Sequence, residues 1–210
     1  MSFTNAQFAK TRPFLFHLTD QNNVPAIARS RILYSASLLM QQSGDSHFLR
    51  RKRPEHVIVR IGGTAIKIRD QQPLYAGKAS LEENWQFENL IEELNRRIFF
   101  WPGNDNGPVD SGVRHFQRYI SEDPVVLRIA TEDILSINSD TIPMFCKYNS
   151  GSPRCSKGLG SPRGPNTFLP CNEANFTPSQ VVEITFEKQV TLPTDIYISN
   201  SVTGPWRRPT

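Results

Sequence analysis

The sequence predicts an α+β fold, in one domain spanning residues 1–210. Three observations carry that expectation. Residues 57–61 alternate in strand fashion, and residues 181–186 and 98–101 are short apolar runs of strand length. Residues 81–95 place Leu81, Trp85, Leu90, Ile91 and Leu94 along one helical stripe. A chain of 210 residues with 38% hydrophobic content supports one real core, is short for two, and shows neither a repeat nor a dividing linker.

The elements follow in order. Residues 14–18 read as a short strand, 20–23 as a polar turn, 24–30 as a helix with Ile27 inward, and 32–35 as a second extended piece. Residues 37–42 form a helical turn. The strand at 57–61 is turned by Gly62-Gly63 into a partner at 65–68. After the helix at 81–95, Ile98-Phe99-Phe100-Trp101 reads as a buried strand ended by Pro102-Gly103. Residues 115–120 are expected helical, 125–129 a strand, and 131–135 a short helix opened by Thr131 as N-cap. From 148 to 178 there is no periodicity. Strands at 181–186 and 196–198 close the chain.

Bulk properties narrow the function classes. A formal charge of +4 suits a polyanionic partner such as nucleic acid and is too mild to require one. Cys146, Cys155 and Cys171 form no Cys-x-x-Cys pair and have no nearby His, which argues against a zinc site, so no metal is expected. The odd cysteine count and the lack of an N-terminal basic-then-apolar segment predict a cytoplasmic location, and no apolar run approaches a membrane span.

Several residues stand out for their chemistry. Glu183 sits among Val181, Val182, Ile184 and Phe186, and a carboxylate in such a run is costly to bury as an anion without partners, which marks either a solvent-facing strand position or a site. Glu187, beside Lys188, fits the solvent-facing case better. His17 ends an early apolar strand, where it is either a packed imidazole or a ligand contact. Arg50, Arg51, Lys52 and Arg53 form either a solvated face or a source of phosphate-binding guanidinium. Arg69-Asp70-Gln71-Gln72-Pro73-Leu74 reads as a rigid loop whose proline fixes the exit. Alternation puts Phe99 and Trp101 on one face and Phe100 on the other, so one face can line a pocket while the other fills the core. The long segment from 148 to 178 carries Lys147, Arg154, Lys157 and Arg163 in or beside it, which suits phosphates, although it has few aromatics to stack on bases.

The run Phe16-His17-Leu18-Thr19, followed by Asn22-Asn23 and a helix, resembles the opening of the DarT-type ADP-ribosyltransferases. More closely, the chain resembles a related uncharacterised bacterial family. Its signatures stand here as Arg69-Asp70-Gln71-Gln72-Pro73-Leu74, Leu94-Asn95-Arg96-Arg97-Ile98-Phe99-Phe100-Trp101, Asn149-Ser150-Gly151-Ser152, Arg163-Gly164 and Val182-Glu183-Ile184-Thr185. The shared order of these motifs, from residue 17 to 198, carries the resemblance.

The resemblance implies two small antiparallel sheets forming a central cleft for NAD, with flanking helices. It implies NAD as co-substrate and transfer of ADP-ribose to a macromolecule, with DNA or RNA the expected acceptor. A protein target, or a non-catalytic binding module on the same fold, is the alternative. It assigns cofactor contacts to His17, Thr19, Asn22, Arg53 and Arg69, with Tyr34 and Phe100 competing to stack on nicotinamide. Glu183 is the expected catalytic carboxylate, and Asn149, Arg154 and Arg163 the expected acceptor contacts. An antitoxin or hydrolase partner is implied as well.

Overall fold

The computed structural model describes residues 2–152 and 161–209. The chain begins with helix α1 (Asn5–Thr11), opened by a reciprocal Thr4–Gln7 capping box. Strand β1 (Phe14–Asp20) leads through a single 3-10 turn to α2 (Val24–Ser30), β2 (Ile32–Tyr34) and α3 (Ala36–Gln42). The hairpin β3 (Val57–Ile61) and β4 (Thr64–Ile68) turns at Gly62 and Gly63, whose φ values of 54° and 80° suit glycine and the right-handed twist of a two-residue loop. Then come α4 (Phe87–Asn95), β5 (Arg97–Asn104), β6 (Gly107–Pro108), α5 (Asp110–Arg118), β7 (Pro124–Ala130) and α6 (Thr131–Ile137). Strands β8 (Met144–Cys146), β9 (Glu183–Glu187), β10 (Gln189–Thr191) and β11 (Ile196–Ser199) complete a mixed α+β fold.

The main sheet is antiparallel, in the order β11-β7-β1-β5-β9-β8, with β6 also on β5. Two further pairs, β2 with β10 and β3 with β4, stand apart from it. The expected two small sheets are therefore two halves of one path that share β5. The first half pairs β5 with β1 only from Phe16↔Trp101 to Phe14↔Gly103, and the second pairs β5 with β9 only from Arg97↔Glu187 to Phe100↔Ile184. Beyond Phe16, β1 follows β7 as far as Asp20 and leaves β5 behind. A cleft opens where the two strands part.

One face of the sheet buries Phe8, Leu15, Ile98, Phe100, Leu127, Ile184 and Phe186 in the largest core cluster. The other face packs Phe16, Leu18, Trp101 and Val126 against Phe116 and Tyr119 of the α5 region.

Several local expectations change. The helix expected at 81–95 starts at Phe87: Asn84 takes a left-handed φ of 68°, Leu81 bridges Arg163, and Asn89 Oδ1 accepts the Gln86 amide to fix the true start. Pro102-Gly103 does not end β5, because both residues stay paired with β1, and a Cβ at Gly103 would collide with the Gly107 carbonyl. Thr131 is inside α6 rather than its cap, since its hydroxyl donates to the Arg12 carbonyl. The helix expected at 115–120 is α5, which starts five residues earlier at Asp110. The aperiodic segment is not free where it is described: Phe168, Ala174 and Phe176 are buried.

Candidate active site

The cleft between the diverging strands has a volume of about 320 Å³. Its floor is the fork itself. His17 sits one residue beyond the last β1–β5 pair, and its Nδ1 donates to the Phe99 carbonyl at 2.9 Å, bridging the two strands. A carbonyl can only accept, so Nδ1 carries the proton and Nε2 is left as an acceptor. Burial lowers the His17 pKa to about 4, against the Phe99 bond that raises it and with Arg69 adding to the fall. The ring is neutral at pH 7 and cannot compete for anions; it can receive a hydroxyl proton.

Glu183, the first residue of β9, is 4% exposed and lines the same cleft. Its Oε2 accepts the Ser150 hydroxyl at 2.6 Å and the Ser150 amide at 3.1 Å. Oε1 has no protein partner among the described residues. Burial raises the Glu183 pKa to about 7, opposed by the two Ser150 bonds and by Arg163. This carboxyl titrates at neutrality, the range suited to exchanging a proton with a substrate.

Arg163 builds the loop that holds Ser150. Its Nε donates to the Ser150 carbonyl at 3.3 Å, one guanidinium nitrogen to Asn149 at 2.9 Å and the other to Ser161, while the plane stacks 4.1 Å from the Tyr148 ring centre. It is 3% exposed with every nitrogen committed, so its expected role in acceptor binding is corrected to a structural one. Asn149 lines the cleft. Arg154 lies outside the described residues.

The remaining wall mixes Arg53, Lys67 and Arg69 with Asp20 and Asp70, and Lys67 is paired with Asp20 at 2.9 Å. Arg69 donates to the Thr19 carbonyl at 2.7 Å, stacks 4.5 Å from the Tyr119 ring centre and stands 3.7 Å from Glu122. Its Nε and Nη1 are buried without a hydrogen-bond partner among the described residues. Burial lowers its pKa, against the opposing fields of Tyr119 and the nearby carboxylates. Arg53 is the buried member of the basic cluster, and most of its fork is taken: Nε by the Arg69 carbonyl at 3.0 Å and Nη1 by Asn95 at 2.6 Å. Arg50 pairs with Glu92 at the surface.

Two expected contacts fall outside the cleft. Asn22 is exposed, and both its amide and its side chain donate to Asp20. The neighbouring Asn23 lines the cleft instead and makes reciprocal 2.9 Å bonds to the Lys67 backbone, tying β4 to the site. Phe100 is fully buried, edge-on to Phe186 at 5.8 Å and beneath His17 at 5.3 Å, so it is core and cannot stack on a ligand. Tyr34, Phe99 and Trp101 line the cleft, as does Thr19, whose hydroxyl faces Asn23 at 3.4 Å. His115 was not singled out by sequence; it lines the cleft between Trp101 and Tyr119, and burial lowers its pKa to about 4. Glu187 binds Arg96 and Arg97 at the far end of β9.

The site thus unites two neutralised histidines, His17 and His115, one carboxyl titrating near neutrality and one partly unsatisfied guanidinium. Cys146 offers no nucleophile, since burial pushes its thiol pKa up. No group of three His, Cys, Asp or Glu side chains among the described residues could hold a metal, and no helix there is long and apolar enough to cross a membrane.

The chain belongs to a family of unknown function, DUF7002, whose model matches residues 13–197. That span runs from the residue before β1 to the second residue of β11, and includes every cleft residue named above. No curated protein matches the chain.

Proposed function

We propose that this protein is an NAD-dependent mono-ADP-ribosyltransferase that transfers ADP-ribose to a macromolecular acceptor, most naturally a nucleic acid. The observation that carries the reading is Glu183: a buried carboxyl with one oxygen fixed by Ser150 and the other without a partner among the described residues, in the same cleft as His17.

The cleft suits the co-substrate. NAD brings hydroxyls that can donate to His17 Nε2, phosphate oxygens that can meet the Arg69 guanidinium where it lines the cleft, and flat rings for Tyr34, Phe99 or Trp101. In transfer, the nicotinamide–ribose bond breaks and its electron pair leaves on the nicotinamide nitrogen. Positive charge grows on the sugar, the acceptor oxygen or nitrogen bonds to that carbon, and the acceptor loses its proton. An ionised Glu183 stabilises the charged sugar through a ribose hydroxyl or takes the acceptor proton. Ser150 keeps the carboxylate aimed while leaving Oε1 for that work. An antitoxin or a hydrolase that removes the modification is the partner class that the resemblance adds to this reading.

The test is incubation of the full chain with labelled NAD and separate pools of DNA, RNA and protein. Label is expected on nucleic acid and not with Glu183→Gln. Absence of NAD binding by calorimetry would remove the proposal.

A further inference from the structure

A second groove, of about 290 Å³, opens beside the cleft and shares Pro73, His115 and Asn149 with it. One wall is α5. Ser111, Arg114, His115 and Arg118 recur at the spacing of one helical face, while Gly112 and Phe116 turn into the protein. The two arginines, one turn apart, sit about 6 Å from each other along the axis. Arg118 is exposed and makes no ion pair or hydrogen bond among the described residues. Arg114 is 63% exposed and holds only loose contacts, 4.0 Å to Asp110 and 3.5 Å to the Ser111 hydroxyl. Among the described residues, no acidic side chain lines the groove.

Charge in this groove is therefore unspent, unlike that of Arg163 at its edge, whose nitrogens are all bound to carbonyls. The seam between the groove and the cleft is Asn149, next to the Ser150 that holds Glu183. We propose that this groove is the acceptor subsite, with Arg114 and Arg118 binding consecutive phosphates of a nucleic-acid strand and delivering a nucleotide past Asn149 to the Glu183 side of the cleft. The inference rests on the transferase reading for its purpose, but the binding surface stands on its own geometry. Guanidinium forks match phosphate oxygens, and such contacts give affinity without sequence preference. The His115 ring at the seam, already packed on Trp101 and Tyr119, supplies a neutral face beside which a base can stack.

Binding of labelled mixed-sequence single-stranded DNA and RNA oligonucleotides to the full chain, followed by anisotropy across a salt series, tests this directly. The wild type should bind, and Arg114→Ala with Arg118→Ala should weaken binding about tenfold or more and flatten the log–log salt slope by about one to two. NAD affinity, measured by calorimetry, should be unchanged. The double lysine variant, Arg114→Lys with Arg118→Lys, should retain most binding and controls for folding. Equal oligonucleotide binding by wild type and the alanine pair overturns the groove, as does a wild type that binds no oligonucleotide and labels only protein. Loss of NAD binding in the wild type, with oligonucleotide binding intact and sensitive to the arginines, would instead overturn the transferase reading and keep the groove.

Discussion

The Ser150 hydroxyl donates to Glu183 Oε2 at 2.6 Å while the Ser150 amide donates to the same oxygen at 3.1 Å. Both bonds favour the carboxylate and oppose the burial that raises its pKa to about 7. Ser150 is thus a positioning residue, and Arg163 positions Ser150 in turn through its carbonyl.

Ser150→Ala removes the shorter of the two bonds and leaves the amide. A hydrogen bond to a charged group is worth about 1.5–3 kcal/mol, so the Glu183 pKa should rise by about one unit or more. If ionised Glu183 drives transfer, the acidic limb of the pH–rate profile moves to higher pH by that amount, with the plateau rate at high pH much less affected. A uniform loss of rate at every pH would show that Ser150 does something other than tune the carboxylate.

Glu183→Gln separates chemistry from folding. NAD binding should stay within about tenfold, while the rate falls about a hundredfold or more, because the lost interaction belongs to the transition state. Stability should move the other way. The folded pKa lies above the ordinary value of 4.5, so the stability this group contributes is complete below that value and lost as pH rises to about 7. At pH 8 the glutamine variant should therefore be more stable than wild type, by roughly 2–3 kcal/mol. Thermal melts at pH 5 and pH 8 check the sign. Glu187→Gln, whose partners are Arg96 and Arg97 at the end of β9, should leave the rate nearly unchanged.

His17→Ala should abolish or strongly weaken NAD binding in calorimetry and also loosen the fork, where the imidazole links β1 to the Phe99 carbonyl. The pH dependence has the opposite sign to that of Glu183. The folded His17 pKa is depressed from 6.5 to about 4, so its stability is present above 6.5 and lost as pH falls to about 4. Wild type should lose stability through that window, and His17→Gln should lose less. Tight NAD binding by His17→Ala would end its role as a contact.

Much of this arrangement was legible in the sequence, for identifiable reasons. The strand at 57–61, the paired glycines and the core face of β5 follow from alternation and turn chemistry, which are local. Glu183 could be singled out because a charge inside an apolar run violates local patterning. Its partner could not, since Ser150 is 33 residues away and the contact exists only in the fold. Asn23 rather than Asn22 reaches the cleft because the 3-10 turn after β1 sets which of two neighbours faces inward, a matter of backbone geometry that composition does not carry. Arg163 looked like a free cation, and only the three carbonyls around it show otherwise. The Thr4–Gln7 capping box of α1 was readable but easily passed over, because the helix it opens is only seven residues long.

Phe100 and Phe99 give a test of which aromatic serves the core. Phe100→Ala should cost about 3–5 kcal/mol, as expected for a fully buried aromatic against Phe186, with NAD affinity lost only through unfolding. Phe99→Ala, on the cleft face, should cost less stability and reduce NAD affinity in protein that remains folded. Denaturant melts paired with calorimetry distinguish the two, and the reverse pattern would return Phe100 to the binding face.

Arg69 provides the sharpest separation of stability from binding. Its guanidinium is largely buried, yet Nε and Nη1 lack hydrogen-bond partners among the described residues, a state that costs about 1–3 kcal/mol per unsatisfied group. Against this stand one bond to Thr19, the Tyr119 stack and a 3.7 Å approach to Glu122. Glu122 keeps His56 at 2.7 Å and Lys67 at 3.4 Å if Arg69 is removed, so its charge is not stranded. Arg69→Met, similar in reach and apolar, should therefore leave the unliganded protein within about 1 kcal/mol of wild type. NAD affinity should nevertheless fall at least about tenfold, since the guanidinium lining the cleft is the cation a phosphate would meet. Arg69→Lys should recover little, because an ammonium cannot reproduce the fork. Wild-type NAD affinity in a folded Arg69→Met protein would show that this guanidinium faces no ligand, and the phosphates of NAD would have to be sought elsewhere in the cleft.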